Sequence, residues 1–181
     1  MKRIEFLRTL SEFAGPIGPL GTIEYRDNAT ENWYNTFDKE SIDILIDLLI
    51  NPPKEKELGY EIPEYFDVEL NHALIAFGRM YTSFFFKKIE PLLELQHLQS
   101  DIIYIIGGIR HQEGMTYLVS LLEKDNLSND DTLELIGAIG QIGGEKTIGI
   151  LERMKMMYSN KYPEAVQQIE IWLKCISDKK D

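Results

Sequence analysis

Three stretches of the sequence align with one another without gaps: LNHALIAFGRMYTSFFFKKIEPLLE (residues 70–94), QSDIIYIIGGIRHQEGMTYLVSLLE (99–123) and TLELIGAIGQIGGEKTIGILERMKM (132–156). The same position is glycine in all three, and these frame glycines, at spacings of 29 and 33 residues, are Gly78, Gly107 and Gly140. A period of this length is typical of repeat proteins, in which each copy forms one supersecondary unit. The frame glycines therefore predict a fold built from repeated units.

Apolar residues recur at fixed distances from each frame glycine. The shared positions lie five, four and one residues before the glycine and two and eleven after it: Ala73, Ile102 and Leu135; Leu74, Ile103 and Ile136; Phe77, Ile106 and Ile139; Met80, Ile109 and Ile142; Ile89, Leu118 and Leu151. The offsets around the glycine fall on one stripe of an α-helix. The same helix face is therefore predicted to be buried in every copy.

A second helix is predicted after each frame glycine. Its pattern is clearest in the middle copy, where Met115, Leu118, Val119 and Leu122 follow the i, i+3, i+4, i+7 spacing of a helix. A helical hairpin with one apolar face cannot bury that face alone, so neighbouring copies must stack. Since strand signals are weak, the predicted fold class is all-α, an α-α superhelix of about four to five helical hairpins.

The residues around the frame glycines resemble a known signature. FGRM (77–80), IGGI (106–109) and IGQIG (139–143) are similar to the Leu-Gly-x-Ile-Gly signature of short bacterial HEAT-like repeats, above all the phycobilin-lyase-like group. The resemblance covers residues 67–176 and is degenerate before them. It implies a HEAT-like solenoid, but little about activity, because that family includes binding proteins, chaperones and a few enzymes.

The chain is predicted to be a single HEAT-like repeat domain over residues 1–181. Residues 1–36 are assigned to a degenerate N-terminal cap that begins with an amphipathic helix, residues 37–66 to an irregular repeat, and residues 67–181 to regular repeats and a C-terminal cap. In the irregular repeat, apolar residues at helical spacing predict a helix over 41–50, with Asp38 or Ser41 as its cap.

Residues 52–66 form a proline-broken insertion that mixes aromatic and acidic side chains. Insertions in repeat proteins emerge on one face and often contact partners, which makes Tyr60 and Tyr65 candidate binding residues. A connecting loop that packs its own aromatic residues is the alternative explanation of the same pattern.

The charge balance limits the class of partner. The chain has 30 acidic and 19 basic residues, a formal net charge of -11 and a pI near 4.8. Neither half is basic, because residues 1–90 carry 10 basic and 16 acidic residues and residues 91–181 carry 9 and 14. Such a chain repels nucleic acid and attracts a basic protein, although an acidic balance is also ordinary for a soluble cytoplasmic protein.

Localisation and cysteine chemistry follow from two further features. Glu5, Arg8 and Glu12 interrupt the N-terminal segment, so it does not have the apolar core of a signal peptide. The longest apolar or glycine stretch, residues 102–109, is far shorter than the roughly 18 residues of a membrane span. We therefore expect a cytoplasmic protein with no membrane partner, in which the single Cys175 is buried.

No catalytic, metal-binding or cofactor-binding motif is found. The three histidines, His72, His97 and His111, do not occur at any metal-ligand spacing. We therefore expect no enzyme activity, no catalytic residues, no bound metal and no cofactor. A small-cofactor (bilin-type) lyase or chaperone, as the resemblance allows, and a structural subunit of a larger assembly are the alternatives.

A second helix stripe supplies the remaining candidate binding residues. The positions six and three residues before the frame glycine and one after it lie away from the buried stripe and are expected to line the inner curve of the array. Their polar or aromatic members are His72, Arg79, Asp101, Tyr104, Glu134 and Gln141. The stripe could bind a cationic loop with Tyr104 as an apolar anchor, or could be an ordinary solvated helix face.

The resulting functional hypothesis is a non-enzymatic scaffold that binds another protein through an acidic concave surface. One specific version is an immunity or inhibitor protein for a basic toxin, because small acidic proteins can mask a basic active site. The chain itself is expected to be a monomer or a weak homo-oligomer.

Overall fold

The computed structural model describes residues 3–14, 38–54, 57, 59, 61–63, 65–124 and 127–178. These residues form nine α-helices and two short 3-10 helices, and no strand occurs among them. The α-helices are α1 (Arg3–Ala14), α2 (Ser41–Ile50), α3 (Phe66–Met80), α4 (Thr82–Ile89), α5 (Gln99–Ile109), α6 (Gln112–Leu122), α7 (Asn129–Ile142), α8 (Glu145–Tyr158) and α9 (Pro163–Ser177). The 3-10 helices are Glu90–Glu94 and Gln96–Leu98. The all-α class is confirmed.

The frame glycines mark the helix ends. Each lies two residues before the end of a helix, and these ends are Met80 in α3, Ile109 in α5 and Ile142 in α7. A second helix begins four or five residues after each glycine, at Thr82, Gln112 and Glu145. The predicted succession of helix, tight turn and second helix is therefore present in all three copies.

The predicted apolar columns form the core of these helices. Every residue in them is buried except Met80, which is 37% exposed. The prediction was wrong at Met80, although Ile109 and Ile142 end α5 and α7 at the equivalent position and are buried. The turn after Met80 is one residue, whereas two residues follow Ile109 and Ile142 before the next helix begins.

The contacts divide the chain into two compact units, Met1–Phe85 and Phe86–Asp181, with the division inside α4. In the first unit, α1, α2 and α3 pack against one another in pairs around buried side chains such as Phe6, Leu45 and Leu74. Arg3 of α1 pairs with Asp47 of α2 and donates a hydrogen bond to the Asn51 carbonyl at 2.8 Å, which holds the end of α2.

Polar caps begin α2 and α7. The Asp38 carboxylate accepts hydrogen bonds from the backbone N–H and hydroxyl of Ser41, and the hydroxyl bond is the main reason why the pKa of Asp38 is lowered. At α7, Asn129 or Asp130 suits the opening position by residue type, but Ser128 is the cap: its hydroxyl accepts from the Asp131 N–H and donates to the Asp131 carboxylate.

The second unit contains a row of three helices. α5 packs extensively on α7, and α7 packs on α9, so the first helices of successive hairpins lie side by side. The second helix α6 packs on α5 and α7, and α8 packs on α7 and α9. The 3-10 segments pack on α5.

Two frame glycines permit close approach within this row. A Cβ at Gly107 would lie 2.7 Å from Cα of Ala138 in α7, and a Cβ at Gly140 would lie 2.6 Å from ring carbons of Trp172 in α9. Both distances are below any normal contact, so only glycine fits at either position. Glycine is therefore required at these two positions because α5 approaches α7 at Gly107 and α7 approaches α9 at Gly140.

The outer face of α9 differs from those of α5 and α7. Ala138 of α7 and Trp172 of α9 occupy equivalent positions. By the same register, Lys174 corresponds to Gly140 and Cys175 corresponds to Gln141. Both Lys174 and Cys175 are exposed. The expectation of a buried Cys175 was wrong, since the thiol lies on the face that Gln141 exposes in α7. Among the described helices, none combines the length and the apolar character needed to cross a bilayer.

Candidate partner-binding surface

The predicted binding residues fall into three groups. Tyr60 lies outside the described residues. Tyr65, His72 and Arg79 belong to the first unit and are exposed on or next to α3. The second unit contains the other four, Asp101 and Tyr104 on α5 and Glu134 and Gln141 on α7.

In the first unit, the exposed side chains form a stripe on α3. Tyr65 is 55% exposed, and Val68, which the sequence pattern did not select, is 45% exposed one turn later. His72 follows four residues after Val68, so these three side chains lie on one helix face. Val68 could have been found from this spacing, because it continues the i, i+3, i+7 series from Tyr65.

In the second unit, the candidates lie on α5 and α7, two helices that pack on each other. Tyr104 lies one turn before Gly107, and Glu134 lies one turn before Ala138, the residue that Gly107 contacts. At the equivalent positions of the next two helices, Gln168 Nε2 is 3.6 Å from the Cβ position of Gly137. We infer from this equivalence that Glu134 lies beside Tyr104.

Glu134 is held in an unfavourable environment. Its side chain is half-buried, and burial raises the pKa of its carboxyl group, with repulsion by Asp131 adding to the increase. Asp131 lies one turn earlier on the same face of α7 and is also half-buried. Within the described part of the chain, no side chain forms an ion pair or hydrogen bond with the Glu134 carboxyl group.

The neighbouring side chains are open to solvent to different degrees. Tyr104 is 38% exposed, and Asp101, one turn before it on α5, is half-buried. We call the surface formed by Asp101, Tyr104, Asp131 and Glu134 the α5–α7 acidic surface. Gln141 is exposed two turns beyond Glu134, so it extends the same side of α7.

Carboxylates also act on two tyrosines of the second unit. The pKa values of Tyr117 and Tyr162 are raised, first by desolvation and then by nearby carboxylates. The carboxylates are Glu90 and Glu113 at Tyr117, and Glu164 and Asp130 at Tyr162. At both tyrosines, nearby carboxylates thus disfavour the deprotonated phenol, in addition to the larger effect of desolvation.

The described residues contain no group of three or more His, Cys, Asp or Glu side chains placed to hold a metal ion. Comparisons with protein-family models, with curated proteins and with solved structures found no significant match to this chain.

Proposed function

We propose that this protein is a non-enzymatic scaffold of HEAT-like repeats that binds a basic protein through the α5–α7 acidic surface. The cofactor-binding lyase or chaperone and the subunit of a larger assembly stay as alternative predictions.

The repeated helix contact supports the stacked array. Gly107 lies against the backbone and Cβ of Ala138, and 33 to 34 residues later Gly140 lies against the indole ring of Trp172. The side-by-side row of α5, α7 and α9 is the arrangement that stacked helical hairpins produce. These features favour an α-α superhelix over a bundle of unrelated helix pairs.

Glu134 carries the functional proposal. A half-buried carboxylate with an acidic neighbour is costly unless a cation compensates it, and the described residues supply none. An arginine or lysine side chain from a partner would relieve that cost. The formal net charge of -11 would also speed the encounter with a basic protein.

Tyr104 gives the surface an apolar anchor. Aromatic side chains that are half-exposed in the free protein and become buried in a complex often contribute most of the binding energy. With Tyr104 38% exposed next to Asp101 and, by the helix register, Glu134, a cationic side chain could contact both the ring face and a carboxylate.

The specific version of this proposal is an immunity or inhibitor protein whose partner is a basic toxin domain. Its test starts from the adjoining gene: if that gene encodes a secreted protein with a basic carboxy-terminal domain, the two purified proteins are mixed and their complex is measured by calorimetry. The proposal expects a complex, and expects it to suppress the activity of the toxin domain.

Matched variants then test the surface. Glu134→Gln should weaken the complex about tenfold, because a charge-assisted contact in a partly buried site is lost. Glu152→Gln removes one negative charge from an exposed position of α8 and serves as the control. Equal effects of the two substitutions would show that only net charge matters and would refute binding at the α5–α7 acidic surface.

A further inference from the structure

A cleft lies in the second unit near the ends of three helices. Its volume is about 170 Å³, and it is lined by residues from the end of α6, the start of α7, the end of α8 and the segments between them. The lining residues are Leu122, Leu127, Asn129, Thr132, Tyr158, Lys161 and Tyr162. The cleft is smaller than the roughly 300–1,000 Å³ of sites for drug-sized ligands, so its occupant must be small.

Internal hydrogen bonds fix much of the cleft wall. The Tyr162 hydroxyl donates to the Asn129 carbonyl at 3.1 Å, and the Thr132 hydroxyl donates to the Ser128 carbonyl at 2.8 Å. The rings of Tyr158 and Tyr162 meet edge to face with centroids 6.4 Å apart. The wall is therefore formed before any ligand enters, which lowers the ordering cost of binding.

Two of the lining residues, Lys161 and Tyr158, carry donors that these bonds do not use. In the described part of the chain, the Lys161 ammonium and the Tyr158 hydroxyl have no hydrogen-bond or ion-pair partner. Among the described residues, none of those that line the cleft is acidic, although the chain as a whole carries a net charge of -11. Leu122 and Leu127 add an apolar patch.

We propose that this cleft binds the carboxylate of a short aliphatic acid, with the carboxylate at Lys161 and Tyr158 and the aliphatic group against Leu122 and Leu127. Ammonium and phenol groups are charge-assisted donors to a carboxylate, and branched aliphatic groups pack well on leucine. A free acid and the carboxy-terminal residue of a peptide share this chemistry. The site shares no residue with the α5–α7 acidic surface, although Asp131 of that surface directly precedes Thr132 of the cleft.

Two acidic residues outside the lining oppose this binding. Asp130 and Glu164 both act electrostatically on Tyr162, so they lower the attraction that Lys161 exerts on an anion. The binding is thus weak in the native protein, and neutralising Asp130 should strengthen it. An increase of this kind would not arise from nonspecific contact of an acid with the protein surface.

The test uses 3-methylbutanoate as the probe and its uncharged amide, 3-methylbutanamide, as the matched ligand. Backbone amide signals of Asn129, Thr132 and Tyr162 are followed by NMR during titration. The expected result is a saturable shift with the acid and at least about tenfold weaker binding of the amide, because the amide cannot form the charge-assisted contact.

Variants complete the test. Lys161→Gln and Tyr158→Phe should weaken binding of the acid, Asp130→Asn should tighten it, and Lys146→Gln, at an exposed lysine of α8, should leave it unchanged. N-acetyl-Gly-Leu with a free carboxylate is titrated in parallel, and tighter binding of either carboxylate probe identifies which source the site prefers. Equal binding of acid and amide, or unchanged binding by Lys161→Gln, overturns the proposal.

Discussion

The indole ring of Trp172 in α9 covers Gly140 of α7 so closely that a methyl group at Gly140 would lie 2.6 Å from two ring carbons. The equivalent contact, one copy earlier, joins Gly107 to Ala138. These two contacts explain why the second and third copies have glycine at this position, because Gly107 and Gly140 are the points at which the next helix approaches.

Gly140→Ala should therefore destabilise the protein by about 1–3 kcal/mol, since the added methyl group displaces the Trp172 ring. Gly149→Ala is the matched control: Gly149 is also in a helix, but a Cβ there meets nothing within 4 Å. The control should be more stable than the native protein by about 0.5–1 kcal/mol from helix propensity alone. Denaturation followed by circular dichroism measures both, and equal effects would contradict the close contact.

Gly107→Ala should also destabilise, by about 1–3 kcal/mol, because its methyl group would meet Ala138. Ala138→Gly in the same chain removes one of the two atoms in the way but leaves the Ala138 Cα, so the double variant should recover only part of the loss. A double-mutant cycle measures the coupling between the two residues. Strictly additive effects would show that α5 and α7 do not meet at this point.

Ser128→Ala should lower stability by about 1 kcal/mol, because the Asp131 N–H at the start of α7 loses its acceptor. Ser120→Ala on α6 is a suitable control, since that hydroxyl only donates to a backbone carbonyl. Chemical denaturation of both variants checks the prediction. If Ser128→Ala lowers the free energy of unfolding no more than Ser120→Ala does, Ser128 does not cap α7.

Much of the fold could be predicted from sequence because burial and helix geometry act locally. The frame glycines and the apolar columns located the helix ends within each hairpin, and among the column residues only Met80 is exposed. Cys175 was misplaced because its exposure depends on which face of α9 is covered, and the apolar character of neighbouring residues does not determine that.

The candidate surface was predictable only in part. Periodicity selected Asp101, Tyr104 and Glu134 as members of one stripe, but the burial of Glu134 and the importance of Asp131 depend on how closely α5 approaches α7. That distance is set by Gly107 and Ala138, which are 31 residues apart in sequence. A local sequence pattern therefore cannot reveal how closely α5 approaches α7.

Glu134 should make stability depend on pH. Its pKa is raised in the folded state from the ordinary value of 4.5, so between these two values the folded protein binds more protons than the unfolded chain. The stabilising contribution is complete below pH 4.5 and is lost as pH rises through the folded pKa. Glu134→Gln should therefore be more stable than the native protein at pH 7, with the difference disappearing at low pH.

Denaturation of native protein, Glu134→Gln and Glu152→Gln at several pH values checks this sign. The Glu152→Gln control removes an exposed carboxylate of α8 and should not reproduce the gain in stability at pH 7. A Glu134→Gln protein that is less stable than native at pH 7 would show that the carboxylate is compensated.

The most direct measurement is an NMR titration of the Glu134 carboxyl carbon, first in the free protein and then in complex with the basic partner. Burial and Asp131 predict a Glu134 pKa above 4.5 in the free protein. If a cationic side chain of the partner binds at the α5–α7 acidic surface, that pKa should decrease clearly in the complex. A free-state pKa at or below 4.5, or a value that the partner leaves unchanged, would contradict binding at this surface.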